Sequence, residues 1–196
     1  MTYKFEVEGL PDYWANERGL KFRQYNIYPT DVSGAPYGSA SPNPYGLSSS
    51  AATGPSGSVT SVDRSIVSSA TTLVYRGYFK PDQTSASWQF RTTSNDGSWF
   101  WIDNDATGST TDLNVNNAIV KNGGFHTVQT VASSNLTLSQ SAENDLFYAV
   151  ALVAGNDPGG GSIRLQFRRD GGSWQTDGDG FYFHDSRRDN GFRPGS

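Results

Sequence analysis

Short apolar runs separated by turn residues follow one another along this chain. Residues 163–167 alternate between apolar and polar positions, and residues 73–79 are interpreted in the same way, whereas residues 146–153 are almost continuously apolar. Alternation predicts strands with one buried face, and the continuous run predicts a central strand buried on both faces. No stretch sustains the period of a helix. The pattern therefore predicts an all-β fold, an antiparallel, jelly-roll-like β-sandwich with long loops at one end.

The strongest β signal surrounds a short polar elbow. Residues 88–92 alternate on the way in, residues 94–97 read Ser-Asn-Asp-Gly, and residues 99–102 place apolar groups on both faces on the way out. Asx side chains and glycine are typical turn residues. The elbow is predicted to present side-chain oxygens at the rim of an aromatic scaffold, as a ligand site or as a plain hairpin turn. Trp99 and Trp101 are predicted to be buried core rather than sugar-stacking surfaces.

Other segments carry a weaker signal. Residues 20–28 form a second β-type run. Residues 29–60, with five prolines among Gly, Ser and Ala, are predicted to form either a long ordered loop or a mobile excursion. Further short strands are predicted at residues 126–131, 135–138 and 181–183. The expected parts of the chain are residues 1–18 as an N-terminal arm or leading strand, residues 19–184 as the β-sandwich domain, and residues 185–196 as a polar C-terminal tail.

Composition argues against several classes of protein. A length of 196 residues suits one domain. A net charge of −4 without a basic stripe argues against a nucleic-acid partner. No apolar run is long enough to predict membrane insertion, and the N-terminus shows no secretory signal. Cysteine is absent, which removes disulfides and thiolate metal sites.

Enzyme chemistry has little support in the sequence. Gly-x-Ser-x-Gly, P-loop and His-Glu-x-x-His motifs are all missing. A glycosidase would need two carboxylates at a set separation, and none of the four glutamates lies in the elbow. His126 and His184 are predicted to be structural, and the acidic segments at residues 103–108 and 177–180 are predicted to be turns. The protein is therefore predicted not to be an enzyme.

Four segments carry a resemblance to a known family. Residues 75–81, Tyr-Arg-Gly-Tyr-Phe-Lys-Pro, and residues 88–103, with Thr-Ser-Asn-Asp-Gly-Ser-Trp-Phe-Trp-Ile-Asp, resemble the core of the anthrax protective-antigen-like domain. Residues 147–160, which include Asn-Asp-Pro-Gly-Gly, are similar to its GLEYA lectin branch, found in yeast flocculins and epithelial adhesins, and residues 19–25 are similar to the opening strand. The resemblance covers residues 19–184. It implies a β-sandwich with a sugar site at one end, built by two loops.

The resemblance also implies the residues of that site. In the lectin branch the first loop carries two aspartates, joined by a cis peptide, that hold Ca²⁺ and touch sugar hydroxyls, and Asn95 and Asp96 match them. The second loop supplies an asparagine, matched by Asn156, and backbone carbonyls. The implied metal ligands are Asn95, Asp96, Asn156, Pro158 and Gly160, and the implied glycan-binding residues are Asn95, Asp96, Asn156, Asp157, Gly159 and Gly160.

Asn95 departs from the family's pair of aspartates. An amide keeps an oxygen ligand but removes a charge, and calcium affinity follows the charge count of the ligands. Asp157, which follows Asn156 in the second loop, could restore the missing negative charge. Ca²⁺ is therefore the candidate cofactor, with binding expected to be weak or absent.

Two hypotheses of function follow. The first is a non-enzymatic carbohydrate-binding module, a lectin or adhesin whose partner is a cell-surface or environmental glycan. The alternative is a structural virion protein of a bacteriophage capsid or tail, or another assembly protein, whose partners are copies of itself or virion neighbours. Either hypothesis predicts an extracellular, cell-surface or virion location.

Overall fold

The computed structural model describes residues 17–26, 52–67, 70–83, 85–102, 118–138, 147–156 and 159–184. The strands are β1 (Glu17–Arg18), β2 (Leu20–Tyr25), β3 (Ala52–Val59), β4 (Asp63–Ile66), β5 (Thr71–Phe79), β6 (Ala86–Asn95), β7 (Ser98–Ile102), β8 (Val120–Asn122), β9 (Gln129–Ala132), β10 (Leu136–Leu138), β11 (Tyr148–Asn156), β12 (Gly161–Arg169) and β13 (Tyr182–His184). No helix in these ranges is long and apolar enough to cross a membrane. The predicted turn at residues 103–108 and the tail at residues 185–196 lie outside the described residues.

The strands form two antiparallel sheets. The first sheet has the order β1-β13-β5-β11-β7-β8, with β2 paired to β5 and β3 paired to β2. The second has the order β10-β6-β12-β4, with β9 also paired to β6. This arrangement confirms the predicted antiparallel sandwich. The continuous apolar run is confirmed as a central strand, because β11 lies between β5 and β7 and is buried along almost its whole length.

Aromatic side chains from both sheets fill the core. Phe79, at the end of β5 in the first sheet, is fully buried. Its ring lies 5.0 Å from that of Trp88 and 5.1 Å from that of Phe90, both on β6 in the second sheet, and 5.5 Å from that of Phe167 on β12. These pairs meet edge to face, which is the favoured geometry of aromatic contacts. Phe79 therefore joins the two sheets.

The prediction of one long loop over residues 29–60 is wrong at its C-terminal end. Residues 52–59 form β3, which pairs with β2 alone. Its sequence, Ala-Thr-Gly-Pro-Ser-Gly-Ser-Val, carries no apolar alternation because the strand lies at a sheet edge and residues 55–58 are exposed. Proline is tolerated on an edge strand, where one side makes no ladder bonds. The rest of the predicted loop, up to residue 51, lies outside the described residues.

The interpretation of the elbow as a hairpin turn is also wrong. β6, which enters the elbow, belongs to the second sheet, whereas β7, which leaves it, belongs to the first. The chain therefore crosses from one sheet to the other at residues 96–97. Every residue of β7 is buried, and Trp99 and Trp101 are only 3% and 0% exposed, which confirms them as core.

His184 closes the domain beside the first described strand. Its Nδ1 atom lies 2.9 Å from the Gly19 carbonyl oxygen, and its Nε2 atom lies 3.2 Å from a carboxylate oxygen of Glu17. The side chain is buried, so both ring nitrogens find partners within the fold. This confirms the predicted structural role of His184. The predicted turn at residues 177–180 is confirmed as well, since the Asp177 carboxylate accepts a hydrogen bond from the Asp179 backbone at 3.0 Å.

Removing the hydroxyl of Tyr182 is expected to stabilise the protein. The hydroxyl is buried and finds no hydrogen-bond partner among the described residues, and burial raises its pKa. Because a buried polar group without a partner carries a desolvation cost, Tyr182→Phe should raise the free energy of unfolding by about 1 kcal/mol. Urea unfolding followed by tryptophan fluorescence measures this change.

Tyr75 is the matched control for that substitution. It is equally buried, but its hydroxyl is hydrogen-bonded to Arg64, and burial raises its pKa to about 12. Tyr75→Phe should therefore lower the free energy of unfolding by about 1 kcal/mol. Equal losses for both variants would contradict the unpaired state of the Tyr182 hydroxyl.

Candidate ligand-binding site

Two chain turns meet at one end of the sandwich. The first is the elbow, which follows Asn95 at the end of β6, and the second connects Asn156 at the end of β11 to Gly161 at the start of β12. Asn95 lies opposite Ser162 in the register of β6 and β12. The backbone N–H of Gly155 donates to the Gly97 carbonyl at 2.9 Å. The predicted two loops therefore lie side by side, and together they are called the two-loop rim.

Side-chain amides hold the two loops together. Asn95 donates from Nδ2 to the Gly160 carbonyl at 3.2 Å, which joins the first loop to the second. Asn156 donates from Nδ2 to the Gly159 carbonyl at 3.1 Å, which closes the second loop on itself. The peptide bond between Asn95 and Asp96 is cis, as the resemblance implied for this pair. Asp157 and Pro158 lie outside the described residues.

Gly161 occupies a place where no side chain fits. The Cβ atom of any other residue there would meet the Asn156 Oδ1 atom and would come within 2.6 Å of the Asn95 carbonyl oxygen. The two oxygens therefore converge above Gly161. Asn156 is 1% exposed, so its side chain has little room to move aside. The rim is assembled around this glycine.

A third segment reaches Asp96. One oxygen of the Asp96 carboxylate accepts a hydrogen bond from the His126 backbone N–H at 3.2 Å. The predicted strand at residues 126–131 begins only at Gln129, because residues 123–128 turn beside the elbow. In this turn Phe125 and Val128 remain 61% and 64% exposed. Sequence reasoning missed this neighbour of the site, since thirty positions separate His126 from Asp96 and no motif links them.

A network of buried hydroxyl and amide side chains supports the elbow on its core side. Ser98 donates to Thr92 Oγ1 at 2.8 Å, and Ser94 and Ser98 share a hydrogen bond of 2.8 Å. Asn122 on β8 donates to Ser94 Oγ at 3.0 Å and to the Gln129 carbonyl at 3.1 Å. All four side chains are buried, and these hydrogen bonds join them, whereas the Asn122 Oδ1 atom finds no partner among the described residues. The network ties both arms of the elbow to β8 and β9.

The groups at the rim offer oxygen atoms that can serve as metal ligands. The described part of the site supplies one carboxylate, that of Asp96, together with the side-chain oxygens of Asn95 and Asn156. Oxygen ligands of this kind suit Ca²⁺, which takes six to eight of them. The carbonyls of Gly159 and Gly160, however, accept amide hydrogen bonds, and the described residues hold no cluster of three or more His, Cys, Asp or Glu side chains. The donor type fits a calcium ion, and the low charge favours weak binding.

The fold is that of protective-antigen-like sugar-binding domains. The solved structure of the PA14 sugar-binding domain from an RTX adhesin matches with a TM-score of 0.60 and 13% identity, over 86% of this chain and 99% of that chain. The epithelial adhesin 6 A domain from Candida glabrata, solved in complex with Galβ1-3GlcNAc, matches with a TM-score of 0.58 and 16% identity, over 87% of this chain and 89% of that chain. At these identities the likeness concerns the fold.

The family follows from the sequence itself. Residues 71–169 match the GLEYA domain, and this chain belongs to the GLEYA domain family. The matched range runs from the start of β5 to the end of β12 and includes both loops of the rim. A search of curated proteins finds no match.

Proposed function

We propose that this protein is a non-enzymatic carbohydrate-binding module of the lectin or adhesin type, which binds glycan hydroxyls at the two-loop rim. The observation that carries the proposal is the convergence of Asn95, Asp96 and Asn156 at one end of a rigid sandwich. Family membership supports it, as do neighbours of the same fold whose structures contain Galβ1-3GlcNAc or β-lactose.

The rim has the chemistry that a sugar requires. The Asp96 carboxylate accepts hydrogen bonds from hydroxyl groups, and bonds to a charged acceptor are stronger than neutral ones. Amides such as Asn95 offer both a donor and an acceptor, which suits the paired donor and acceptor character of a sugar hydroxyl. The buried network beneath the elbow holds these groups in place, so that little conformational entropy is lost on binding.

Ca²⁺ at this rim is part of the proposal. Asn95, Asp96 and Asn156 would hold it through side-chain oxygens, with backbone carbonyls of Pro158 and Gly160 as further ligands. A bound calcium ion would supply a positive centre on which vicinal sugar hydroxyls replace water. We expect a low affinity, because Asn95 contributes no charge and calcium affinity falls with the charge of the ligand set.

Replacing Asp96 by alanine tests glycan binding. We expect wild-type protein to bind a β-galactoside such as lactose, and Asp96→Ala to bind at least roughly tenfold more weakly, because a charged hydrogen-bond acceptor is lost. Isothermal titration calorimetry with Ca²⁺, then with lactose and a panel of other glycans, each with and without chelator, measures both ligands.

Asp82→Ala is the control for the same charge change. Asp82 forms an ion pair with Arg169 and follows Phe79, the last residue of β5. At the rim, Asn156 pairs with Thr71, the first residue of β5. The two ends of β5 are about 25 Å apart along the strand. The Asp82→Ala variant should bind glycans as the wild type does. If the folded wild type binds no glycan of the panel, the proposed function is contradicted. Glycan binding that chelator leaves unchanged would remove calcium from the mechanism and leave the glycan site standing.

Adhesin-type function implies a glycan partner on a cell surface or in the surroundings, and hence an extracellular or cell-surface location. The alternative of a virion or assembly protein stays a prediction, and no contact among the described residues favours it over glycan binding.

A further inference from the structure

A second polar surface lies on the outer face of the second sheet, away from the core. Along β6, buried residues alternate with partly exposed ones, so that Gln89 and Arg91 point outward. On β12 the facing residues are Arg168, opposite Gln89, and Gln166, opposite Arg91. Trp174, from the segment after β12, covers both arginines. These five residues are called the Arg–Trp surface.

The two arginines are held in place by neutral groups. Arg91 donates from Nε to Gln166 Oε1 at 2.8 Å, and Arg168 donates from Nε to Gln89 Oε1 at 2.8 Å. Their guanidinium carbons lie 4.2 Å and 4.5 Å from the centre of the Trp174 ring, which is cation–π distance. The two guanidinium groups are thereby brought to the same ring. Their terminal nitrogens make no hydrogen bond to any residue that the structure describes.

The tryptophan itself is anchored. Its neighbour Gln175 exchanges two backbone hydrogen bonds with Phe167 on β12, at 2.8 Å and 3.0 Å. Gln166 donates to Thr176 Oγ1 at 3.0 Å, which also holds the residue after Gln175 against β12. The Arg–Trp surface is therefore organised before any ligand arrives, and a preorganised site loses less entropy on binding.

No carboxylate among the described residues balances the charge of this surface. Three other arginines have carboxylate partners: Arg18 pairs with Asp179, Arg164 with Asp63, and Arg169 with Asp82. Arg91 and Arg168 have no carboxylate partner in the part of the chain that the structure describes. Desolvation, and then the positive charges of Arg168 and Arg164, lower the pKa of Arg91. A local excess of positive charge thus persists on a chain with a net charge of −4.

We propose that the Arg–Trp surface binds the carboxylate groups of an acidic polysaccharide, such as a chain of uronic acids. Each guanidinium carries five N–H donors in a fixed fork, of which the Nε–H is used by glutamine. The terminal nitrogens match a planar carboxylate through parallel hydrogen bonds. Two arginines on one ring offer this contact twice, which suits a polymer with a carboxylate on successive sugars.

The position of the surface favours a glycan over other polyanions. Arg91 lies four residues before Asn95 on the same face of β6, about 13 Å from the rim along the strand. A polysaccharide that reaches the rim can extend over this face. The choice of a glycan rests on the proposed function, whereas the anion-binding chemistry of Arg91 and Arg168 does not.

Binding to polygalacturonate, compared with neutral dextran and dextran sulfate, tests the proposal. We expect the full chain to bind immobilised polygalacturonate, to ignore dextran, and to release polygalacturonate as salt is raised, because exposed charges are screened. Arg168→Gln and Arg91→Gln should each weaken binding roughly tenfold or more, since each removes hydrogen bonds to a charged group. Arg91→Lys should also weaken it, because lysine keeps the charge but loses the fork.

Arg18→Gln is the matched control, because it removes one positive charge from an exposed ion pair on a different strand. It should bind polygalacturonate as the wild type does, and thermal unfolding should show all variants folded. Lactose, which carries no carboxylate, is titrated into the same variants, so that failure of the rim and failure of this surface are told apart. The proposal is overturned by folded Arg91 and Arg168 variants that bind as the wild type does, by equal losses in Arg18→Gln, or by a preference for dextran sulfate.

Discussion

Replacing Phe79 by alanine is expected to lower the free energy of unfolding by about 3–5 kcal/mol. Phe79 is fully buried and its ring contacts rings from both sheets, among them Trp88, Phe90 and Phe167. Truncation to alanine would remove apolar area from the core and would leave a cavity that these large, mutually packed rings cannot fill. Chemical unfolding followed by circular dichroism measures the loss.

Phe125→Ala is the control for this substitution. It removes the same atoms from a side chain that is 61% exposed, and substitutions at the surface usually change stability by less than about 0.5 kcal/mol. If Phe79→Ala were to cost no more than Phe125→Ala, then the contacts between the two sheets at Phe79 would not be a main source of stability.

Strands that pack on the core were the easiest to predict from the sequence. Residues 163–167 alternate because one face of β12 packs on the core. The prediction of one buried face is wrong for residues 73–79, because β5 is buried on both faces from Thr71 to Arg76. The central position of β11 was equally readable, because both of its faces are covered and nearly every residue is apolar.

Edge strands and sheet crossings could not be predicted in this way. β3 pairs along one side only and exposes residues 55–58, so its stability comes from backbone hydrogen bonds, which leave no hydrophobic pattern. The elbow at residues 96–97 joins strands of different sheets, yet Asn-Asp-Gly is equally suited to a hairpin turn. Local turn chemistry does not reveal which sheet the next strand joins.

The candidate site was predictable only in its outline. The resemblance pointed to the elbow and to the loop after β11, and the structure brings these two loops together. The turn at residues 123–128 and the support from Asn122 were not predicted, because contacts between residues distant in sequence arise from the packing of β8 beside β7. The Arg–Trp surface was missed for the same reason, since its members come from β6, β12 and the following turn.

Replacing Gly161 by alanine is expected to disrupt the rim more than its small size suggests. The added Cβ would come within 2.6 Å of the Asn95 carbonyl oxygen and would also meet the Asn156 Oδ1 atom. The Asn95 oxygen belongs to the backbone and cannot swing aside, and Asn156 is buried. Overpacking of this kind costs about 1–3 kcal/mol. Urea unfolding should show this loss, and calorimetry should show glycan binding weakened roughly tenfold or more, because the two loops must separate.

Gly160→Ala separates this steric effect from a general sensitivity of the loop. A Cβ on Gly160 meets no atom within 4 Å, and the Gly160 carbonyl that accepts from Asn95 would remain in place. Gly160→Ala should therefore keep both the stability and the glycan binding of the wild type. Equal losses in the two variants would show that backbone freedom in the loop matters more than space above Gly161. Unchanged stability in Gly161→Ala would mean that Asn95 and Asn156 are not held as closely together as the structure places them.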